Sequence, residues 1–201
     1  MYEPHTARET FQVGFSKNPR LDFGIYAKGY FGAAELLVES ALAKPSFPDY
    51  EAYPIMFLYR QAVELDLKGC IYNSAHLANL MEVPHLDHSL VNNHDLSSLA
   101  RRAKSITDVL FKGDQELSTF MSSVTQEVGQ IMRIDPKSFA FRYPLKRNGA
   151  PSFENTHWFG LESTRKRISS LHYGLQSIHF GLQVTEEQRL EIYELLTGNE
   201  C

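Results

Sequence analysis

Basic residues gather at three places in this chain: Arg101-Arg102-Ala103-Lys104, the segment from Arg142 to Arg147, and Arg165-Lys166-Arg167. Guanidinium and ammonium groups pair with phosphate oxygens, and Tyr143, Phe153 and Trp158 offer rings on which unpaired bases stack. Together these are the ingredients of an RNA-facing surface, with Arg101, Arg102, Arg142, Arg147 and Lys166 as candidate contacts. The alternative is a set of ordinary solvated helix faces, which carry the same charges. The formal net charge of −4 provides no global attraction to nucleic acid or anionic membranes, so RNA binding would rest on a local patch.

Histidines and carboxylates form the second group. His85, His88 and His94-Asp95 have spacings from which a metal site could be assembled, since two histidines three apart on a helical turn share one ion. Pro84 breaks such a turn and no cysteine stands nearby, so neither a metal nor a cofactor is expected. Glu64 lies between Arg60 and Lys68 at i, i+4 spacing, where each exposed pair contributes about 0.3–0.5 kcal/mol. Asp66, at about 80° from Leu58, falls inside an apolar arc; it is either partnered when buried or placed at a subunit boundary. No Gly-rich phosphate loop, nucleophile elbow or distinctive paired-carboxylate spacing is present.

The elements that must position these groups are helical. Residues 53–72 hold Ile55, Leu58, Ala62, Leu65 and Gly69 on one line, with Met56, Tyr59, Val63, Leu67 and Cys70 beside it. An apolar arc wider than half the circumference predicts a central helix packed on several sides, with Arg60, Glu64 and Lys68 as its polar ridge. Before it, residues 1–22 read as an irregular arm and 23–43 as a helix, ended by Lys44-Pro45. Residues 73–93 read as a long loop.

Leu96, Leu99, Ala103, Ile106 and Leu110 then mark a helix capped by Asp95 or Asn93, and Leu117, Met121, Val124, Val128 and Ile131 mark another, after Gly113-Asp114. Residues 139–144 alternate like a strand, with Asn148-Gly149 as a turn behind them. A long helix is predicted over 159–182. Thr185-Glu186-Glu187-Gln188 reads as a capping box that opens a separate terminal helix. The fold class is therefore all-α, one helical domain over 23–198 with a short extended excursion near 139–150. No apolar run approaches the roughly 18 residues of a membrane span. The N-terminus lacks a basic and apolar leader, which points to the cytoplasm.

The phrase FLYRQAVELDLKGCI, then HDLSSL, then FRYPLKRNG and a long helix, resembles bacterial members of the HEPN (higher eukaryotes and prokaryotes nucleotide-binding) superfamily. The segments match in order over roughly 27–182. The resemblance implies an all-α bundle of four to five helices that homodimerises. Many such proteins are metal-independent endoribonucleases of toxin–antitoxin or phage-defence systems, which pair with a cognate antitoxin or defence partner. Others have lost catalysis and bind RNA, nucleotides or a partner protein.

Active HEPN members carry an arginine, four to six residues and a histidine in the late helix, with an acidic residue upstream. Here Arg167 and His172 have four intervening residues, and Arg165 and His172 have six. The resemblance implies that His172 exchanges a proton with a ribose 2′-hydroxyl or the leaving oxygen, while an arginine stabilises the phosphate and Glu64 is the acidic member. Ile168 stands where active members usually have a polar residue. Residues seven apart on a helix return to within about 20°, so Arg165, His172 and His179 share one flank, with Gln176 nearby and Arg167 on the other. The alternative places His172 and His179 at the edge of the core, their rings packed at a helix interface.

Overall fold

The computed structural model describes residues 18–46, 49–83 and 94–197. Among them are five α-helices: α1 (Pro19–Leu42), α2 (Ala52–Leu80), α3 (Leu96–Leu110), α4 (Gln115–Ile134) and α5 (Leu161–Thr197), with a 3-10 turn at Asp49–Glu51 before α2. The chain is an all-α helical bundle. Most of the expected arm, residues 1–17, lies outside the described residues. Its last residues belong to α1, because a proline in the first turn gives up no hydrogen bond there.

α2 is central, packed against α1, α3 and α5. Buried residues run almost without a gap through its middle: Tyr59, Arg60, Ala62, Val63, Glu64, Asp66 and Leu67. The expected polar ridge is therefore not on the surface. Arg60 and Glu64 lie under the start of α3 and the end of α4, where Arg60 donates to the His94 carbonyl at 2.9 Å and sits 3.7 Å from the Asp135 carboxylate. Around α2, Val38, Leu99, Ala103, Val124, Val128, Leu171 and Leu175 complete the core with Leu67 and Ile71 of α2 itself. Each buried Leu, Ile or Val contributes about 1.5–3 kcal/mol.

α2 continues beyond residue 72 to Leu80, because Ile71, Ser74, Ala75 and Ala78 extend its buried face at helical spacing. The expected loop over 73–93 is accordingly shorter, and His85 and His88 lie outside the described residues. At its far side Asp95 caps α3 by accepting from the Ser98 amide at 3.1 Å, and Asp114 caps α4 through the Leu117 amide at 2.9 Å. Gly113 takes φ +95° between the two helices, a conformation that favours glycine.

Residues 139–144 form turns, not a strand. The Asp135 carboxylate accepts from the Phe139 and Ala140 amides at 2.7 and 3.0 Å, and Phe139 accepts from Arg142 and Tyr143, so the segment coils before it can extend. Among the described residues extended pairing is confined to Leu145 and Pro151, across a turn in which Gly149 takes φ +80°. α5 runs unbroken through Thr185, whose hydroxyl donates to the Gly181 carbonyl at 2.8 Å. That bond spends the side chain inside the helix, so no capping box forms.

Candidate functional site

Three side chains of α5 converge on one residue of α2. His172 Nδ1 is 2.7 Å from Asp66 Oδ2, Gln176 Nε2 donates to Asp66 Oδ1 at 2.7 Å, and His179 Nε2 lies 2.8 Å from the Asp66 carbonyl oxygen. Their i, i+4, i+7 spacing puts them on a single line of α5. An ionised carboxylate only accepts, so His172 Nδ1 carries the proton. Gly69 makes the close approach possible: a Cβ there would stand 2.3 Å from His179 Cε1.

The cluster is closed. Phe31 of α1 stacks on the His172 ring at 4.1 Å between centroids and 13° between planes, and His172 is 2% exposed. Burial lowers the His179 pKa below its ordinary value, the Asp66 carbonyl and carboxylate opposing that shift only in part. A histidine acting on a ribose hydroxyl must come within hydrogen-bond reach of it. In a single copy of the chain His172 offers no such approach.

The two candidate arginines face opposite neighbours. Arg165 turns to α1, with Nε 2.8 Å from Glu35 Oε2 and Nη2 3.0 Å from Glu39 Oε1; the Tyr59 hydroxyl donates to Glu35 from below. Burial and Glu35 raise the Tyr59 pKa, and Glu35 holds the Arg165 guanidinium firmly charged. Arg167 turns to α4 and binds Glu127 and Gln130. The predicted separation of the two flanks is thus what the fold presents. Neither cation stands bare for a phosphate.

Glu64 is on the far side of α2 from His172. It accepts from Arg60 at 3.1 Å and Lys68 at 2.8 Å, and His94 Nδ1 lies 2.8 Å from it. Burial alone would raise its pKa, but Lys68 and His94 outweigh burial and hold it below the ordinary carboxylate range. The acidic residue beside His172 is Asp66. Sequence spacing marked Asp66 as a polar residue in an apolar arc, yet nothing in it paired α2 with α5. Glu35 went unmarked for the same reason, and the spacing of α1 places Phe31 on its core face without pairing it with His172.

The basic groups remain apart. Arg101 lines a groove with Lys104 between α3 and α4, whereas Arg147 lines a cavity of about 650 Å³ with Lys137 and Lys146 behind α4. Arg102 lies on α3 as well, half-buried, and Lys166 is exposed on α5. Arg142 curls back to the Ser138 carbonyl and lies over the Phe57 and Tyr143 rings, each 5.7 Å from its guanidinium carbon. Phe153 and Trp158 share a separate aromatic cavity, and Tyr143 packs on Phe139.

Among the described residues no group of three His, Cys, Asp or Glu side chains is placed to hold a metal ion, and no helix is long and apolar enough to cross a membrane. No protein-family model, curated protein or solved structure matches the chain.

Proposed function

We propose that this chain is a HEPN-like helical module that self-associates and binds a partner protein without cleaving RNA. The observation that carries the reading is the state of His172: buried to 2%, tied to Asp66 and covered by the Phe31 ring, with both neighbouring arginines neutralised by carboxylates of the same chain. An acid–base site needs an exposed ring, and a phosphate site needs an unspent cation.

A surface suited to protein contact lies over the same helices. Ile25, Gly29, Gly32 and Leu36 follow i, i+4, i+7, i+11 spacing on the outer line of α1, and Leu36 is 69% exposed. A Cβ at Gly29 or Gly32 would meet nothing within 4 Å, so another backbone has room to approach. On α5, Tyr173 and Phe180 are seven apart, 62% and 68% exposed, and Tyr173 sets its edge against Phe31 beneath α1. Large exposed apolar side chains on adjoining helices are what a protein interface uses.

The experiment is light scattering of the purified chain beside Leu36→Glu and Phe180→Glu. The reading expects a mass about twice 23.0 kDa that falls to the monomer in both variants. A monomeric parent chain, or variants that leave the mass unchanged, contradicts the placement of this surface. Metal-free RNA cleavage dependent on His172 would instead restore the ribonuclease reading.

A further inference from the structure

A second site lies away from Asp66 and His172, where the 3-10 turn, the first turn of α2 and the chain entering α5 meet. It is a cavity of about 480 Å³ walled by Tyr53, Phe141, Phe153, Trp158 and Phe159. The rings do not lie flat on one another. Tyr53 and Phe153 are tilted by 48° at 6.0 Å, Phe141 and Phe153 by 58° at 5.4 Å, and Phe141 and Phe159 by 58° at 6.2 Å. His157 adds a further ring against Phe153 at 5.8 Å and 62°. Pairs at these distances and angles are in edge-to-face contact, so the rings pack together as one aromatic wall of the cavity.

Two features indicate what the volume takes. Trp158, the single tryptophan of the chain, is 88% exposed on the cavity wall, so the largest ring available is left uncovered by the chain's own residues. Asp49 and Glu154 are the charged residues of the wall, and neither lysine nor arginine lines it. Glu154 pairs with Lys146 at 2.6 Å. Asp49 makes no hydrogen bond or ion pair among the described residues.

Aromatic faces carry negative potential and attract a cation within about 6 Å of the ring centre. A carboxylate at the rim adds to that attraction. A phosphate-bearing ligand would meet the Asp49 carboxylate, while Lys146 is already spent on Glu154. We propose that this cage binds a methylated ammonium group. Such a group is large and weakly hydrated, so it fills an aromatic cavity at smaller desolvation cost than a bare ammonium. It is carried either by a small free cation of the choline type or by a methylated lysine side chain of another protein.

Trp158 serves as the reporter, since no other indole contributes to the fluorescence. The full chain is titrated with choline, with 3,3-dimethylbutanol as its uncharged isostere, with a trimethyl-lysine peptide and with AMP. Choline is expected to give a saturable change in Trp158 emission, and the isostere to bind at least about fivefold more weakly. Asp49→Asn, an exposed substitution that leaves the circular dichroism spectrum unchanged, is expected to weaken choline about threefold. Phe153→Leu is expected to abolish saturation. A peptide that binds more tightly than choline identifies a protein-borne group, and one that binds more weakly identifies a free cation; both support the cage. No saturable change with choline or the peptide, equal binding of the isostere, or preferential saturation by AMP overturns it.

Discussion

His172 Nδ1 and Asp66 Oδ2 stand 2.7 Å apart although 106 residues separate them in the chain, and both side chains are buried between α2 and α5. The same carboxylate accepts from Gln176 through its other oxygen, and the Asp66 carbonyl holds His179. One residue of α2 therefore fixes the register of α5 at three positions. Removing its side chain takes the carboxylate from His172 Nδ1 and Gln176 Nε2 and leaves the His179 bond to the backbone in place; each buried polar atom left unpaired costs about 1–3 kcal/mol. Asp66→Ala is expected to lower stability to urea by about 2–4 kcal/mol. Asp66→Asn, which retains an acceptor, is expected to lower it by less; equal stability of Asp66→Ala and the parent chain would count against the cluster.

Gly69→Ala tests the contact between α2 and α5 directly. The added Cβ would lie 2.3 Å from His179 Cε1 and 2.9 Å from its Nε2, so the ring must leave the Asp66 carbonyl or the helices must part. Overpacking of this kind costs about 1–3 kcal/mol. In a double-mutant cycle, His179→Ala should make Gly69→Ala markedly less costly. Additive losses would show that the two sites do not touch.

Acid should destabilise the fold in two stages. The folded His179 pKa lies below the ordinary imidazole value because burial favours the neutral ring. Its contribution is therefore complete above about pH 6.5 and is lost as the pH falls from there to the folded pKa. Glu64 has a lowered carboxylate pKa, so its contribution is complete above about pH 4.3 and is lost as the pH falls through the folded value. Melting temperature against pH should decline in both windows. His179→Gln should flatten the upper one and leave the lower one, and a parent profile that rises on acidification would contradict both assignments.

Much of the bundle was legible because helical spacing and caps are local signals. Asp95, one of the two caps expected, starts α3, α4 follows the break expected at Gly113-Asp114, and α2 is central as its wide apolar arc predicts. Local signals failed at Thr185, where another local bond won, and at Arg60 and Glu64, where a distant contact decided the outcome. Thr185 matches a capping box, but the helix passes through it and its hydroxyl bonds within the turn. The Arg60 and Glu64 charges fit an exposed ridge in sequence, yet α3 and the end of α4 cover them.

The candidate site divides in the same way. The line of Arg165, His172, Gln176 and His179 follows from helix geometry alone, and so does the placing of Arg167 on the opposite flank. The identity of the acidic partner did not follow, since Glu64 and Asp66 are two residues apart on α2 and point to opposite sides. Which of them met α5 depended on how α2 rotates against α3, a tertiary fact that no spacing within either helix encodes.

The most direct test of the central claim, that His172 holds the fold and does no chemistry on RNA, is cleavage of total RNA by the purified chain in EDTA beside His172→Asn. The expected result is no cleavage above background by either protein, with His172→Asn melting at a lower temperature because Asp66 loses its partner. Cleavage by the parent chain that disappears in a folded His172→Asn variant would contradict the account and establish a metal-independent ribonuclease centred on His172.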